Sequence, residues 1–161
     1  MRKFTKEHRE AISKACKGRK SWIKGKKMPK NSIYKNMASH IRFDVTWEWL
    51  SKYNDIEKLK TLNDVITNRN GRWDVTTKWY MLYIEKYYYD EQFNKIYKSW
   101  IASNYEKYKK PSIDHITPKA KGGTNDICNL QFLTWFENRC KNDMSQNEWK
   151  TLKKNIGDYL L

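Results

Sequence analysis

The chain is short of the residues that would place it in several familiar classes. Its three cysteines, Cys16, Cys128 and Cys140, are an odd number, and none stands in a Cys-x-x-Cys pair. That argues against a disulfide framework and a thiolate zinc site, so no zinc is expected, and the setting is predicted to be reducing and cytoplasmic. No run of eighteen apolar residues occurs, so no membrane span is available. The opening stretch MRKFTKEHRE lacks the apolar core of a secretory signal. Glycine (6), proline (3) and histidine (3) are all scarce in 161 residues. Where they do occur, they mark special places.

What is abundant is positive charge and aromatic surface. There are 33 Lys+Arg against 18 Asp+Glu, a net charge of +15, and aromatics make up 15% of the chain. The charge alone would suit disorder, but the aromatic content supplies a core. The length suits one domain, or one compact domain with an appended arm. A surface this basic implies a polyanionic partner, nucleic acid before an anionic membrane. Residues 1–30 hold twelve Lys and Arg against Glu7 and Glu10, a local excess of ten out of the chain's fifteen. Within this arm, TKEHREAISKACKG predicts a short helix with Thr5 as N-cap, a thin stripe of Ala11, Ile12 and Ala15, and Gly18 as the stop. RKSWIKGKKMP then reads as an extended basic stretch, closed by Pro29, that buries too little to fold alone.

Residues 31–110 contain a single glycine, Gly71, and no proline. TWEWLSKYNDIEKLKTLNDVI predicts two helices broken near Asn54-Asp55, with Trp47, Leu50, Ile56, Leu59, Leu62 and Ile66 at helical spacings. NRNGRW is a turn. Residues 76–108 predict two more helices hinged near Tyr89-Asp90, whose stripe of Trp79, Leu82, Tyr83, Phe93, Ile96, Tyr97 and Trp100 belongs to the core. Pro111 ends the helical stretch.

After it the period changes. Residues 112–117 alternate as a strand, PKAKGGTNDIC is a loop, and NLQFLT is a second strand. TWFE (134–137) is a capping box that starts a helix at Trp135, and SQNE (145–148) is a second one that opens a helix through WKTLKKNI. The fold class is α+β, mostly helical: a basic arm over 1–30, a helical aromatic-rich region over 31–110, and a hairpin-helix unit with a terminal helix over 111–161.

The chemistry concentrates in that last unit. Asp114 and His115 are adjacent on one strand and so point to opposite faces. They cannot both ligate one ion in a simple strand. If the strand is twisted or bulged, one can hold a metal while the other approaches the substrate. With Thr134 as N-cap, Asn138 lies one turn into the helix, where packing across the hairpin brings its amide oxygen near Asp114. Asn142 lies one turn further along the same face, and the choice between the two stays open. A carboxylate, an amide oxygen and waters form a hard oxygen site suited to one Mg²⁺ or Mn²⁺. A neutral imidazole beside it is a ready general base for water. His8 and His40 have no such company, and Cys128 and Cys140 are expected as buried thiols.

DHITPKAKGG, NLQFLT and ENRCKND together resemble the HNH endonuclease motif, the ββα-metal hairpin-helix, over about residues 111–143. The spacing from Asn129 to Asn138 is similar to that in the HNH domain of RNA-guided CRISPR nucleases. The resemblance implies that Asp114 and Asn138 ligate one divalent cation and that His115 takes a proton from the attacking water. It implies that Asn129 bridges loop backbone and holds the His115 segment. The cation would neutralise charge on the scissile phosphate and the leaving 3′ oxygen, giving 5′-phosphate and 3′-hydroxyl ends. Lys119, Lys121 and Lys141 become candidates for backbone phosphates. Many HNH proteins frame the motif with two Cys-x-x-Cys pairs around a structural zinc. This chain has neither pair, so the helices must support the motif.

HREAISKACKGRKSWIKGKKMP in turn resembles the nuclease-associated modular DNA-binding motif appended to homing endonucleases of phages and introns. There it usually follows the catalytic domain; here it precedes it. The resemblance implies DNA contacts from Arg19, Lys20, Trp22, Lys24, Lys26 and Lys27. The expectation is a phage-type, metal-dependent homing endonuclease of the bacterial cytoplasm. It would act on double-stranded DNA as a monomer or weak dimer, nicking one strand per visit, with no membrane and no small-molecule cofactor. The rivals are an HNH enzyme of restriction or packaging, a DNA-binding protein without catalysis, and an RNA-binding protein of the ribosomal kind.

Overall fold

The computed structural model describes residues 5–17, 27–67 and 75–156. The NRNGRW turn and most of the extended basic stretch lie outside them. The arm's helix, α1 (Lys6–Cys16), is capped as expected, with Thr5 Oγ1 accepting from the His8 amide at 3.3 Å. None of its residues is buried among the described residues, and Ile12 is 48% exposed.

Helix α2 (Lys30–His40) was not singled out in the sequence, because its apolar signal is thin: only Tyr34 is fully buried. The Tyr34 hydroxyl donates to the Tyr53 carbonyl at 2.6 Å, which pins α2 to the chain that follows. Helices α3 (Trp47–Leu50) and α4 (Ile56–Thr67) are separated at Asn54-Asp55, where Asp55 Oδ1 accepts from the Lys58 amide at 3.0 Å. Helices α5 (Thr77–Tyr88) and α6 (Glu91–Ala102) meet at Tyr89-Asp90, and Asp90 caps α6 by accepting from the Phe93 amide at 2.7 Å.

Two expectations need correction here. Leu82 is 47% exposed, and the inward arc of α5 is instead Tyr80, Tyr83, Ile84 and Tyr87. These stand at i, i+3, i+4 and i+7; a helix apolar on several sides leaves its neighbours to choose the buried stripe. Helix α6 also stops well before Pro111. Asn104 (φ 57°) and Tyr105 (φ 63°) turn left-handed, and their amides close onto the Ile101 and Trp100 carbonyls at 2.9 and 3.0 Å, a helix stop made without glycine. A 3₁₀ turn, Lys107–Lys109, leads into the hairpin.

Strand β1 (Pro111–His115) pairs antiparallel with β2 (Leu130–Thr134), with Ile113 opposite Phe132 and Asp114 opposite Gln131. Pairing ends two residues earlier than the 112–117 alternation predicts. The Ile116 amide bonds the Asn129 carbonyl at 2.8 Å, and Thr117 is taken by the Asn129 side chain. Both capping boxes are present, opening α7 (Trp135–Lys141) and α8 (Gln146–Ile156). Cys128 sits exposed in the 3₁₀ turn Ile127–Asn129 and Cys140 is half-buried, so neither is the enclosed thiol expected.

One core cluster runs from Tyr34 to Phe132 and includes the hairpin's inner face. Phe132 meets Phe93, Tyr87 and Tyr83 at centroid distances of 4.7, 4.9 and 6.4 Å. Helices α7 and α8 cover the opposite face, through Asn138 onto Ser112 and Gln146 onto Gln131. Among the described residues, no helix is long and apolar enough to cross a membrane. Truncating Phe132 to Ala removes the ring shared by sheet and helices. Chemical denaturation should register a loss of about 3–5 kcal/mol; a loss below 1 kcal/mol would show that the hairpin is not built into the core.

Candidate active site

Asp114 and His115 both line a cleft of about 1140 Å³ that also takes in Ser112, Asn138, Asn142 and Lys119. Opposed on the strand as neighbours must be, they reach one cleft because His115 is the last paired residue, where the chain leaves the sheet. Both are buried.

The orientation of each group follows from its partners. Asn138 Nδ2 donates to Ser112 Oγ at 2.8 Å and to the Ile113 carbonyl at 2.9 Å, both on β1 directly before Asp114. With the NH₂ committed to the strand, Asn138 Oδ1 accepts no hydrogen bond among the described residues. Asp114 Oδ2 accepts from Gln131 Nε2 at 3.0 Å and lies 3.0 Å from Lys141 Nζ. Its Oδ1 likewise has no donor among the described residues. Gln131 Nε2 also donates to Gln146 Oε1 at 3.0 Å, which ties Asp114 through the sheet to α8.

His115 Nε2 lies 3.0 Å from Asn125 Oδ1. An Nε2–H donating to that oxygen leaves the neutral ring's lone pair on Nδ1. Asn125 is held in turn, because its carbonyl accepts from the Trp79 indole of α5 at 3.0 Å. Tyr87 Oη donates to the Leu130 carbonyl at 2.7 Å, and Lys86 Nζ to the Ile127 carbonyl at 2.8 Å, so α5 grips both ends of the turn into β2.

The intervening loop is knotted by Asn129. Its Oδ1 accepts from the Thr117 amide at 2.9 Å, while its Nδ2 donates to the Thr117 and Thr124 carbonyls at 3.0 and 2.9 Å. The Gly-Gly pair serves the same knot. Gly122 has φ 83°, which other residues rarely adopt, and a Cβ on Gly123 would stand 1.8 Å from the Thr117 carbonyl oxygen. Across the loop, Lys121 Nζ meets Glu148 Oε2 at 2.5 Å. That bond, with those from Ser145, pulls the Glu148 carboxyl down to about 2.

The expected DNA contacts are distributed unevenly. Arg19, Lys20, Trp22, Lys24 and Lys26 lie outside the described residues, and Lys27 is exposed. Lys119 is exposed on the cleft. Lys121 is exposed but paired with Glu148. Lys141 contradicts the expectation of a phosphate contact. It is fully buried, with its ammonium 3.0 Å from Asp114 and donating at 2.7 Å to the His115 carbonyl. Sitting in the last turn of α7, it faces the hairpin rather than solvent. Asn125 and Gln131 went unnoticed in the sequence, since a lone Asn or Gln carries no spacing signal, and Trp79 was read as core without its bond to Asn125.

Among the described residues, no three His, Cys, Asp or Glu converge. The cleft presents side-chain oxygens from Asp114, Asn138, Asn142 and Asp143, and water must complete the shell of any cation held there. This donor set fits Mg²⁺ or Mn²⁺, which keep several waters and take one or two carboxylates plus substrate phosphate. The Lys141 ammonium already balances the charge of Asp114 itself.

Residues 2–33 match the family model of the NUMOD3 motif, a motif found in homing endonucleases. The match covers the basic arm, α1 and the start of α2. No curated protein matches the chain. No solved structure matches it either.

Two substitutions test this construction. Lys141→Met strands a buried carboxylate and should cost about 3–5 kcal/mol in chemical denaturation, while Asp114→Leu in the same chain should recover most of it. Equal stability of Lys141→Met and the parent would mean that the ammonium is not inside. Gly123→Ala should cost about 1–3 kcal/mol through its clash with the Thr117 carbonyl. It should also shift the His115 ring resonances by NMR; unmoved resonances would disconnect the Gly-Gly turn from His115.

Proposed function

We propose that the protein is an HNH-type endonuclease that hydrolyses a phosphodiester bond of double-stranded DNA, a homing-type nicking enzyme. The observation that carries this reading is the meeting of Asp114, His115 and Asn138 on one cleft, with Asn129 locking the loop behind His115. The N-terminal NUMOD3 motif supplies the link to homing endonucleases and to DNA.

The roles follow from the groups themselves. Asp114 and Asn138 would hold a divalent cation, Mg²⁺ or Mn²⁺, whose chemistry when bound is Lewis-acid neutralisation of charge on the phosphate and its leaving oxygen. His115, whose ring Nε2 lies 3.0 Å from Asn125 Oδ1, takes the proton of the attacking water. Asn129 touches neither water nor phosphate; its amide keeps Thr117 and Thr124 together, so the strand end carrying His115 cannot splay. Gln131 and Lys141 orient Asp114 from behind. Lys119 on the cleft is the lysine of the original set best placed for a backbone phosphate.

One observation favours a second reading. An ammonium already standing on Asp114 suits a DNA-binding protein that needs no metal and performs no hydrolysis. Supercoiled DNA carrying candidate genomic loci separates the two. Wild type with Mg²⁺ or Mn²⁺ should yield nicked circles, EDTA should abolish them, and His115→Ala should slow nicking by about 10²–10⁴-fold. Tight binding without nicking at any locus would favour the binder, and equal nicking by both proteins would remove His115 from the mechanism.

A further inference from the structure

Beside the cleft's floor stands a second group of charges that the roles above leave unused. Lys107 Nζ lies 5.0 Å from the centroid of the Trp135 ring, and the Arg139 guanidinium lies 5.1 Å from the same ring. Lys110 Nζ is 6.0 Å from the Trp100 ring. The 3₁₀ turn is fastened to the start of α7, because the Trp135 amide donates to the Lys110 carbonyl at 2.7 Å and Tyr108 meets Trp135 edge-on at 5.7 Å. Lys107, Lys110, Trp135 and Arg139 all line the cleft that holds Asp114 and His115.

The partners of these cations matter more than their number. The ion pairs among the described residues engage Lys60, Lys109, Lys121, Lys141 and Lys153, and none involves Lys107, Lys110 or Arg139. Asp143 lines the same cleft and pairs with none of them. A carboxylate would fix a cation and cancel its charge. An aromatic face fixes it through the ring quadrupole and leaves the charge intact. Long side chains held this way lose less freedom when an anion arrives, so the site is ordered in advance for negative charge. Two cations already sit at the Trp135 ring, so this rim offers charge rather than a bare ring on which a base could stack.

We infer that Lys107, Lys110 and Arg139 form a seat for the phosphate backbone of double-stranded DNA on the rim of the cleft, a contact surface separate from the N-terminal arm. The inference rests on the reading of DNA as the substrate and names where that substrate lies against the hairpin. The seat reads phosphates and not bases, so it adds affinity equally to every sequence and sets the position of the duplex over His115.

The test is duplex binding by the full-length protein in EDTA, where no hydrolysis occurs, followed by fluorescence anisotropy from about 50 to 200 mM salt. Each lost phosphate contact lowers the slope of log affinity against log salt by about 0.9, so the triple variant K107Q/K110Q/R139Q should lose about 2.7. The control K52Q/K78Q/K95Q removes as many positive charges, from exposed lysines elsewhere on the surface, and should keep the parental slope. Single variants, each expected to lose about 0.9, decide the matter if the triple variant melts early. An unchanged slope in the rim variants, an equal loss in the control, or no duplex binding by the parent overturns the seat. Nicking by wild type reports separately: a lost slope without nicking keeps the seat and removes hydrolysis, and nicking with an unchanged slope does the reverse.

Discussion

A sheet of two five-residue strands cannot stand by itself in water, and everything at the candidate site depends on how both of its faces are covered. The inner face enters the aromatic core through Ile113 and Phe132, against Tyr87 and Phe93. The outer face is closed by α7 and α8 through polar contacts: Asn138 onto Ser112, and Gln146 onto Gln131. Hydrophobic burial thus supplies the stability from one side, while hydrogen bonds fix directions on the other. Asp114 stands on the directed side against Gln131, while His115, one residue on, leaves from the other face at the end of the strand.

The Asp114–Lys141 pair shows the same division of labour. Burying a carboxylate alone is prohibitive, and a paired ammonium with a second bond to a carbonyl makes it tolerable. Lys141 meets both conditions, with Asp114 at 3.0 Å and the His115 carbonyl at 2.7 Å. One side chain therefore clamps two consecutive residues of β1, one through its carboxylate and the other through its backbone.

Much of the fold was legible because its signals are local. The capping boxes at Thr134 and Ser145, the breaks at Asn54-Asp55 and Tyr89-Asp90, and the change of period after Pro111 all lie within a few residues of what they specify. What escaped was non-local. Trp79 reaches Asn125 across 46 positions and Lys141 reaches the His115 carbonyl across 26, and neither partnership has a spacing rule. Lysine at the surface is the sound default, which is why Lys141 read as a phosphate contact. Helix α2 was missed because a single fully buried ring, Tyr34, is too little for a periodicity. The stop of α6 was missed because Asn104 and Tyr105 do what glycine ordinarily signals.

The support of Asn125 by Trp79 sets a limit on modularity. The letters proposed to carry the chemistry occupy one short stretch, yet the rings and indole that hold them belong to α5 and α6. A hairpin lifted onto another scaffold would arrive with its Asp, His and Asn in order and without the Trp79 and Tyr87 bonds that keep its loop in place. For inheritance or for engineering, the smallest piece that can travel is the hairpin together with the helices beneath it.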